Sequence, residues 1–173
     1  MFPIRSIDHT RIFMVKRTMS QLAPGLLVFV LPVAMAAQPA TRITDPVSFV
    51  TDVYRHFVQS QTVDREYQPP QDIYTPRLAK LIYDDQHRPG RYLPCADFVF
   101  WVDGQDWMLS DVSISGKVES QDHRTVIARF RTDRRPVEIH FDFRLISRRW
   151  LISEVQSVLA PTWTLTAILK CQQ

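Results

Sequence analysis

The segment with the greatest potential for chemistry runs from residue 95 to residue 111 and reads CADFVFWVDGQDWMLSD. Carboxylates that lie among aromatic rings acquire raised pKa values when burial disfavours their charge, and such groups serve as general acids or bases. One hypothesis is therefore a binding loop that presents Asp103, Gln105, Asp106 and Trp107 at the mouth of an apolar pocket. The alternative is a structural turn, because Asp-Gly is a common turn dipeptide whose aromatic flanks anchor it in a core. For this structural interpretation we expect the Asp106 carboxylate to be at least half buried and to accept backbone N–H hydrogen bonds.

A second group of polar residues lies further along the chain. Glu138, His140 and Asp142 alternate with apolar residues, so they share one face of a predicted strand. A histidine beside an aspartate can form a catalytic pair, but same-face polar residues are also typical of a solvated sheet, and no motif supplies a nucleophile. Gly-rich phosphate loops, G-x-S-x-G, C-x-x-C and H-E-x-x-H are all missing from the sequence. We therefore assign no catalytic residue and predict no metal site and no cofactor.

The N-terminal segment predicts export. Lys16 and Arg17 precede a short apolar run over residues 22–34, and Ala34-Met35-Ala36 supplies a small-residue cleavage site. This order is typical of a secretory signal peptide. The run is shorter than the roughly 20 residues of a membrane span, and its prolines disfavour a buried core helix. We predict a signal peptide over residues 1–36, a mature domain over residues 37–173, and a periplasmic or secreted protein. The true start is left open between Met1, Met14 and Met19.

The net charge of +3 belongs to the predicted signal peptide. Its removal takes four basic residues and one acidic residue from totals of 21 and 18, which leaves 17 of each sign. Those five residues are Arg5, Asp8, Arg11, Lys16 and Arg17. A formally neutral mature chain gives no argument for nucleic acid or an anionic membrane as a partner. Arginines between residues 129 and 149 are interleaved with acids and indicate a solvated sheet face.

Two cysteines remain in the mature chain, Cys95 and Cys171. In an oxidising compartment an even pair indicates a disulfide, which would stabilise the fold by roughly 4 kcal/mol if unstrained. The alternative is two free or buried thiols.

The element pattern predicts one α+β domain. Asp45-Pro46 and Thr75-Pro76 each combine an N-cap residue with a proline at the first helical position, and apolar residues at helical spacing follow both. From Val112 the period changes to two, and short connections separate four strands. The strongest alternation runs from Val137 to Leu145, and its apolar face is expected to fill the interior. We predict two N-terminal helices packed on a curved antiparallel sheet of about four strands, and a short C-terminal helix over residues 162–171.

The order of these motifs resembles the bacterial exported domain of unknown function 3828 family. The resemblance rests on Y-T-P-x-L-x-x-L from Tyr74, G-Q-D-W from Gly104, and W-x-I-x-E from Trp150, and it covers nearly all of the mature chain. The family places an Asp-Pro dipeptide shortly before Gln-Asp, where this chain has Val99-Phe100. The resemblance implies a cystatin-like, nuclear-transport-factor-2-like fold.

Similar small exported domains include immunity proteins that neutralise antibacterial toxins. The resemblance therefore implies a non-enzymatic protein-binding module with a toxin or effector as partner, and the missing catalytic constellation points the same way. The alternative is a small-ligand pocket, or an enzyme of the dehydratase or isomerase type on the same fold. The oligomeric state is left open.

Overall fold

The computed structural model describes residues 41–60, 69–89, 93–105, 107–132 and 134–170. These residues form three α-helices, one 3₁₀ turn over Gln71–Ile73 and five strands. The helices are α1 (Pro46–Ser60), α2 (Pro76–Gln86) and α3 (Leu165–Ile168). The strands are β1 (Leu109–Val118), β2 (His123–Thr132), β3 (Arg135–Ile146), β4 (Arg149–Ser157) and β5 (Trp163–Thr164). The α+β class is confirmed.

Local capping sets where α1 and α2 begin, as the sequence predicts. The Asp45 carboxylate accepts a hydrogen bond from Ser48 N–H at 2.8 Å, and hydrogen bonds from Ser48 hold the pKa of Asp45 below its usual value. At α2 the Thr75 hydroxyl oxygen accepts from Leu78 N–H at 3.5 Å. Each cap satisfies a backbone donor that has no partner within the helix.

The sheet is an antiparallel meander in the order β1-β2-β3-β4-β5. The prediction of about four strands is therefore wrong by one. The additional strand, Trp163–Thr164, lies inside the segment predicted as the C-terminal helix and pairs with Gln156 and Ser157 of β4. The C-terminal helix is therefore shorter than predicted. Thr164 has an extended backbone, so the helix begins only at Leu165.

Two irregularities shape the strands. In β1 the register shifts between Ser110 and Ser113, where Asp111 has a left-handed backbone with a φ of 53°. This bulge interrupts the alternation, and it explains why the sequence pattern places the start of the strand at Val112 rather than at Leu109. In β4 the register shifts opposite Asp142 and Phe143, and the extra residue Ser153 donates its hydroxyl to Asp142 C=O at 3.0 Å.

The interior is apolar and rich in aromatic rings. The predicted inward face of β3 is buried at four of its five positions, Val137, Ile139, Phe141 and Phe143. The fifth, Leu145, is 39% exposed, so its predicted burial is wrong, because the strand runs past the core into its terminal turn. From α1 the ring of Tyr54 lies 5.4 Å from that of Phe130 on β2, measured between centroids.

Among the described residues, no helix has both the length and the apolar composition that crossing a membrane requires.

Candidate functional site

The predicted site loop forms a tight turn. Val99 N–H donates to Gly104 C=O at 2.9 Å, and Val102 N–H donates back to Val99 C=O at 3.0 Å. Asp103 has a φ of 54°, a left-handed conformation that aspartate tolerates better than most residues. This geometry favours the structural interpretation of the Asp103-Gly104 dipeptide.

Asp103 joins this turn to two distant elements. Its carboxylate accepts from Trp163 Nε1 at 2.7 Å and from Arg135 Nη1 at 2.9 Å. Arg135 Nη2 also donates to the Asp103 backbone C=O at 3.0 Å. The Asp103 side chain is only 6% exposed, and each of its carboxylate oxygens has a partner. We call Asp103, Arg135 and Trp163 the Asp103 clamp.

The other residues of the predicted loop have separate surroundings. Gln105 is exposed and donates from Nε2 to Asp97 C=O at 3.1 Å. Trp107 is partly buried, and its ring meets Phe57 edge-on at 5.5 Å. The indole nitrogen of Trp107 is buried and has no hydrogen-bond partner among the described residues. Asp106 lies outside the described residues, so its predicted burial and hydrogen bonding stay predictions.

Asp85 is a buried acid that the sequence analysis does not single out. It lies in the last turn of α2 and is 3% exposed. Its carboxylate accepts from Cys95 N–H at 2.9 Å, from Ala96 N–H at 3.1 Å and from Arg88 Nε at 2.9 Å. In the sequence near Asp85, Arg88 three residues later is the one residue that indicates a structural role for this acid. The two backbone donors follow about ten residues later, so the sequence does not reveal them.

A cavity of about 180 Å³ lies beside Asp85. Its wall combines aromatic and amide side chains, including Tyr74, Gln86 and Trp101. Trp101 Nε1 donates to the Tyr74 hydroxyl at 3.3 Å, and burial raises the pKa of Tyr74 far above its usual value. A tyrosine held neutral in this way can donate a hydrogen bond but cannot act as a base near neutral pH.

The polar face of β3 carries two separate hydrogen-bond networks. Glu138 pairs with His140 Nε2 at 2.7 Å and with Arg129 Nε at 2.8 Å, and these hydrogen bonds hold the pKa of Glu138 below its usual value. Asp142 instead accepts from the Thr125 hydroxyl at 2.7 Å and lies 3.4 Å from His123 Nε2. The expected shared face is present, but His140 is hydrogen-bonded to Glu138 and not to Asp142.

The predicted disulfide joins Cys95 to Cys171, and Cys171 lies outside the described residues. The described part brings the backbone of Cys95 towards the end of α3 through Asp85 and Arg88. Arg88 Nη2 donates to Leu169 C=O at 3.2 Å, and Leu169 precedes Cys171 by two positions in the sequence. The bridge between Cys95 and Cys171 stays a prediction.

No group of three or more histidine, cysteine or acidic side chains converges on a common point in the described part of the chain. The chain matches no protein-family model, no curated protein and no solved structure. The family resemblance stated above accordingly stays a prediction.

Proposed function

We propose that this chain is an exported, non-enzymatic protein-binding module, of the kind that serves as an immunity protein against a toxin or effector. We further propose a cystatin-like arrangement in which α1 and α2 pack on a curved sheet. In this proposal the partner contributes an extended segment that pairs with β1.

The outer edge of β1 is the observation that carries the proposal. β1 is the first strand of the sheet and pairs only with β2 among the described residues. A strand edge presents backbone N–H and C=O groups that can pair with an added strand. In this mode of recognition, main-chain hydrogen bonds give affinity and side-chain pockets give specificity.

A groove beside this edge provides such a pocket. It measures about 430 Å³ and lies between α1 and β1, with Val58, Val112 and Ile114 among its lining residues. Val58 is 39% exposed, and Val112 and Ile114 are partly buried. Thr51, Arg55 and Gln59 make part of the lining polar. An extended segment on β1 can place every second side chain against the apolar part, since side chains alternate along a strand.

The occupied acids also support a non-enzymatic role. Among the described acids, Asp85 lines the cavity and Asp103 lies in the predicted loop, and both oxygens of each carboxylate accept structural hydrogen bonds. A general base needs an acceptor within hydrogen-bond reach of its substrate, and these two carboxylates are instead engaged in contacts that hold the fold together.

Binding of the purified protein to the product of the neighbouring gene tests the proposal. Val58→Asp places a charge in the groove and should weaken binding at least tenfold while the melting temperature changes little, because the residue is partly exposed. Val158→Asp is the matched control, since Val158 is 36% exposed, follows β4 and does not line the groove. Equal affinity of the two variants would exclude the groove as the binding surface.

The cavity beside Asp85 supports a second candidate, a small-ligand pocket. Its aromatic wall and the Gln86 amide suit a small planar ligand, although about 180 Å³ is below the 300 Å³ or more that is usual for ligand pockets. A metabolite screen by thermal shift distinguishes the two candidates. A ligand whose stabilising effect is lost in Gln86→Ala, together with no binding to the neighbouring product, would replace the first proposal with this one.

A further inference from the structure

The turn between β3 and β4 has an unusual sequence for its backbone. Ile146 pairs with Arg149, so Ser147 and Arg148 form a two-residue hairpin loop. Their φ values are 48° and 63°, both left-handed. Such loops favour Asn-Gly, because a Cβ atom disfavours this conformation in most residues, whereas glycine has none and asparagine tolerates it. Unfavourable backbone conformations persist mainly where the residue contributes something else, and here the side chain is an arginine.

A pocket of about 310 Å³ lies at this turn, and three of its four lining residues are arginines. They are Arg42, Arg148 and Arg149, and the fourth is Ser147. Arg149 lies 3.5 Å from Asp72 Oδ2, whereas Arg42 and Arg148 form no ion pair with any described residue. Among the described residues, the three arginines and Asp72 leave two positive charges uncompensated at the pocket.

Arg149 is held in place with part of its hydrogen-bonding capacity unused. Its Nη2 donates to Thr41 C=O at 2.8 Å and to Asp72 C=O at 3.2 Å. Its Nε is buried and has no partner among the described residues. A buried N–H group without a partner is unfavourable, so this position of Arg149 has a cost that another contribution must offset. The two backbone contacts fix the guanidinium before any ligand arrives.

We propose that the pocket formed by Arg42, Ser147, Arg148 and Arg149 binds a phosphate group. Two uncompensated positive charges match a phosphate, which carries about −1.5 to −2 at neutral pH, better than a carboxylate with a single charge. Planar guanidinium groups form paired hydrogen bonds with phosphate oxygens, and the Ser147 hydroxyl adds a further donor. This site shares no lining residue with the β1 groove and does not depend on the proposed protein partner.

Calorimetric titration of the purified protein with inorganic phosphate, at constant ionic strength, tests the site. We expect saturable one-to-one binding, and acetate should bind at least tenfold more weakly. The double variant R42Q/R148Q should reduce the affinity for phosphate at least tenfold. R77Q/R131Q is the matched control, because it removes the same charge from exposed positions that do not line the pocket. Thermal unfolding of both variants verifies that they fold.

Leu145 and Ile146 precede the turn and are 39% and 40% exposed, so the phosphate group can belong to a lipid headgroup as well as to a soluble compound. Flotation with phosphatidylglycerol vesicles, against phosphatidylcholine vesicles, separates these sources. Retention that needs Arg42 and Arg148 assigns the group to a lipid, and binding of inorganic phosphate alone assigns it to a soluble ligand. The proposal is overturned if phosphate binding does not saturate, if acetate binds equally well, or if R77Q/R131Q loses as much affinity as R42Q/R148Q.

Discussion

Asp103 illustrates how one side chain can hold a loop, a strand and the C-terminal segment together. We expect Asp103→Ala to lower the free energy of unfolding by about 2–4 kcal/mol, because Trp163 loses its acceptor and Arg135 loses the carboxylate, one of its two acceptors on this residue. Asp103→Asn should cost less, since asparagine tolerates the left-handed backbone and keeps an oxygen for Trp163. Urea denaturation of both variants measures the difference. Equal losses would mean that the side-chain hydrogen bond to Trp163 contributes nothing.

Trp163 and Trp107 allow a controlled comparison, because they differ in whether the indole N–H has a hydrogen-bond partner. Trp163 donates its indole N–H to Asp103, whereas the indole N–H of Trp107 is buried without a described partner. Substitution by phenylalanine removes the indole N–H at either position. The loss of ring volume is the same in the two variants. We expect Trp163→Phe to be about 1–3 kcal/mol more destabilising than Trp107→Phe, because only the first breaks a hydrogen bond to a charged group. A larger loss in Trp107→Phe would reveal a partner for its indole nitrogen.

Glu138 gives the fold a dependence on pH. Hydrogen bonds from His140 and Arg129 lower the pKa of its carboxyl below the usual value of 4.5. The stabilisation is therefore complete above about pH 4.5 and is lost as the pH falls through the lowered pKa. We expect Glu138→Gln to reduce stability at pH 6–7, and the difference from the unsubstituted protein to shrink as the pH falls below about 4.5. Urea midpoints across this range measure the effect, and a constant difference at all pH values would contradict it.

At the scale of elements, the β3–β4 hairpin combines an unfavourable turn with a proposed binding role. Arg148→Gly should raise the free energy of unfolding by roughly 0.5–1 kcal/mol, because glycine adopts a φ of 63° without a Cβ penalty. Arg144→Gly, on the exposed face of β3, is the control and should be destabilising by a similar amount. Thermal and urea unfolding measure both. If Arg148→Gly is stabilising and also weakens phosphate binding, then Arg148 lowers the stability of the turn and contributes to binding of the ligand.

The elements that could be predicted from the sequence are those with local signals. Asp45-Pro46 and Thr75-Pro76 fix helix starts through contacts three residues apart, and the alternation in β3 needs only one buried face. Strand β5 carries no such signal, because two residues are too few to show a period. The start of β1 could not be predicted for a different reason. The bulge at Asp111 interrupts the alternation of apolar and polar residues.

The candidate site was less predictable because its contacts are long-range. The segment around Asp103 is recognisable as a turn, but its partners lie 32 and 60 residues away at Arg135 and Trp163. Nothing in the neighbouring residues specifies those pairings. The pocket at Arg149 likewise depends on Thr41 and Asp72, which are far from it in the chain. The sequence shows which residues can do chemistry, and only the fold shows which of them meet.

At the scale of the whole molecule, export and the disulfide can be tested together. We expect protein recovered from the periplasm to begin near Ala37 and to have the mass of a chain in which Cys95 and Cys171 are oxidised. Reduction should lower the free energy of unfolding by up to about 4 kcal/mol, since the bridge closes a long loop. Cys95→Ser should reproduce the loss without reductant. Two thiols that titrate in the native oxidised protein, or an intact N-terminus, would contradict these expectations.

The order of the sheet has a consequence for how the chain folds. Every strand pairs with its neighbour in sequence, so β1 to β4 can form as successive hairpins with short loop closures, which take microseconds. Helix α1 is different, because Tyr54 on it bonds to Trp101, 47 residues later. During synthesis from the N-terminus, the apolar face of α1 emerges before the strands against which it packs. We therefore expect the late docking of α1, rather than sheet formation, to be the step at which this protein is most exposed to aggregation.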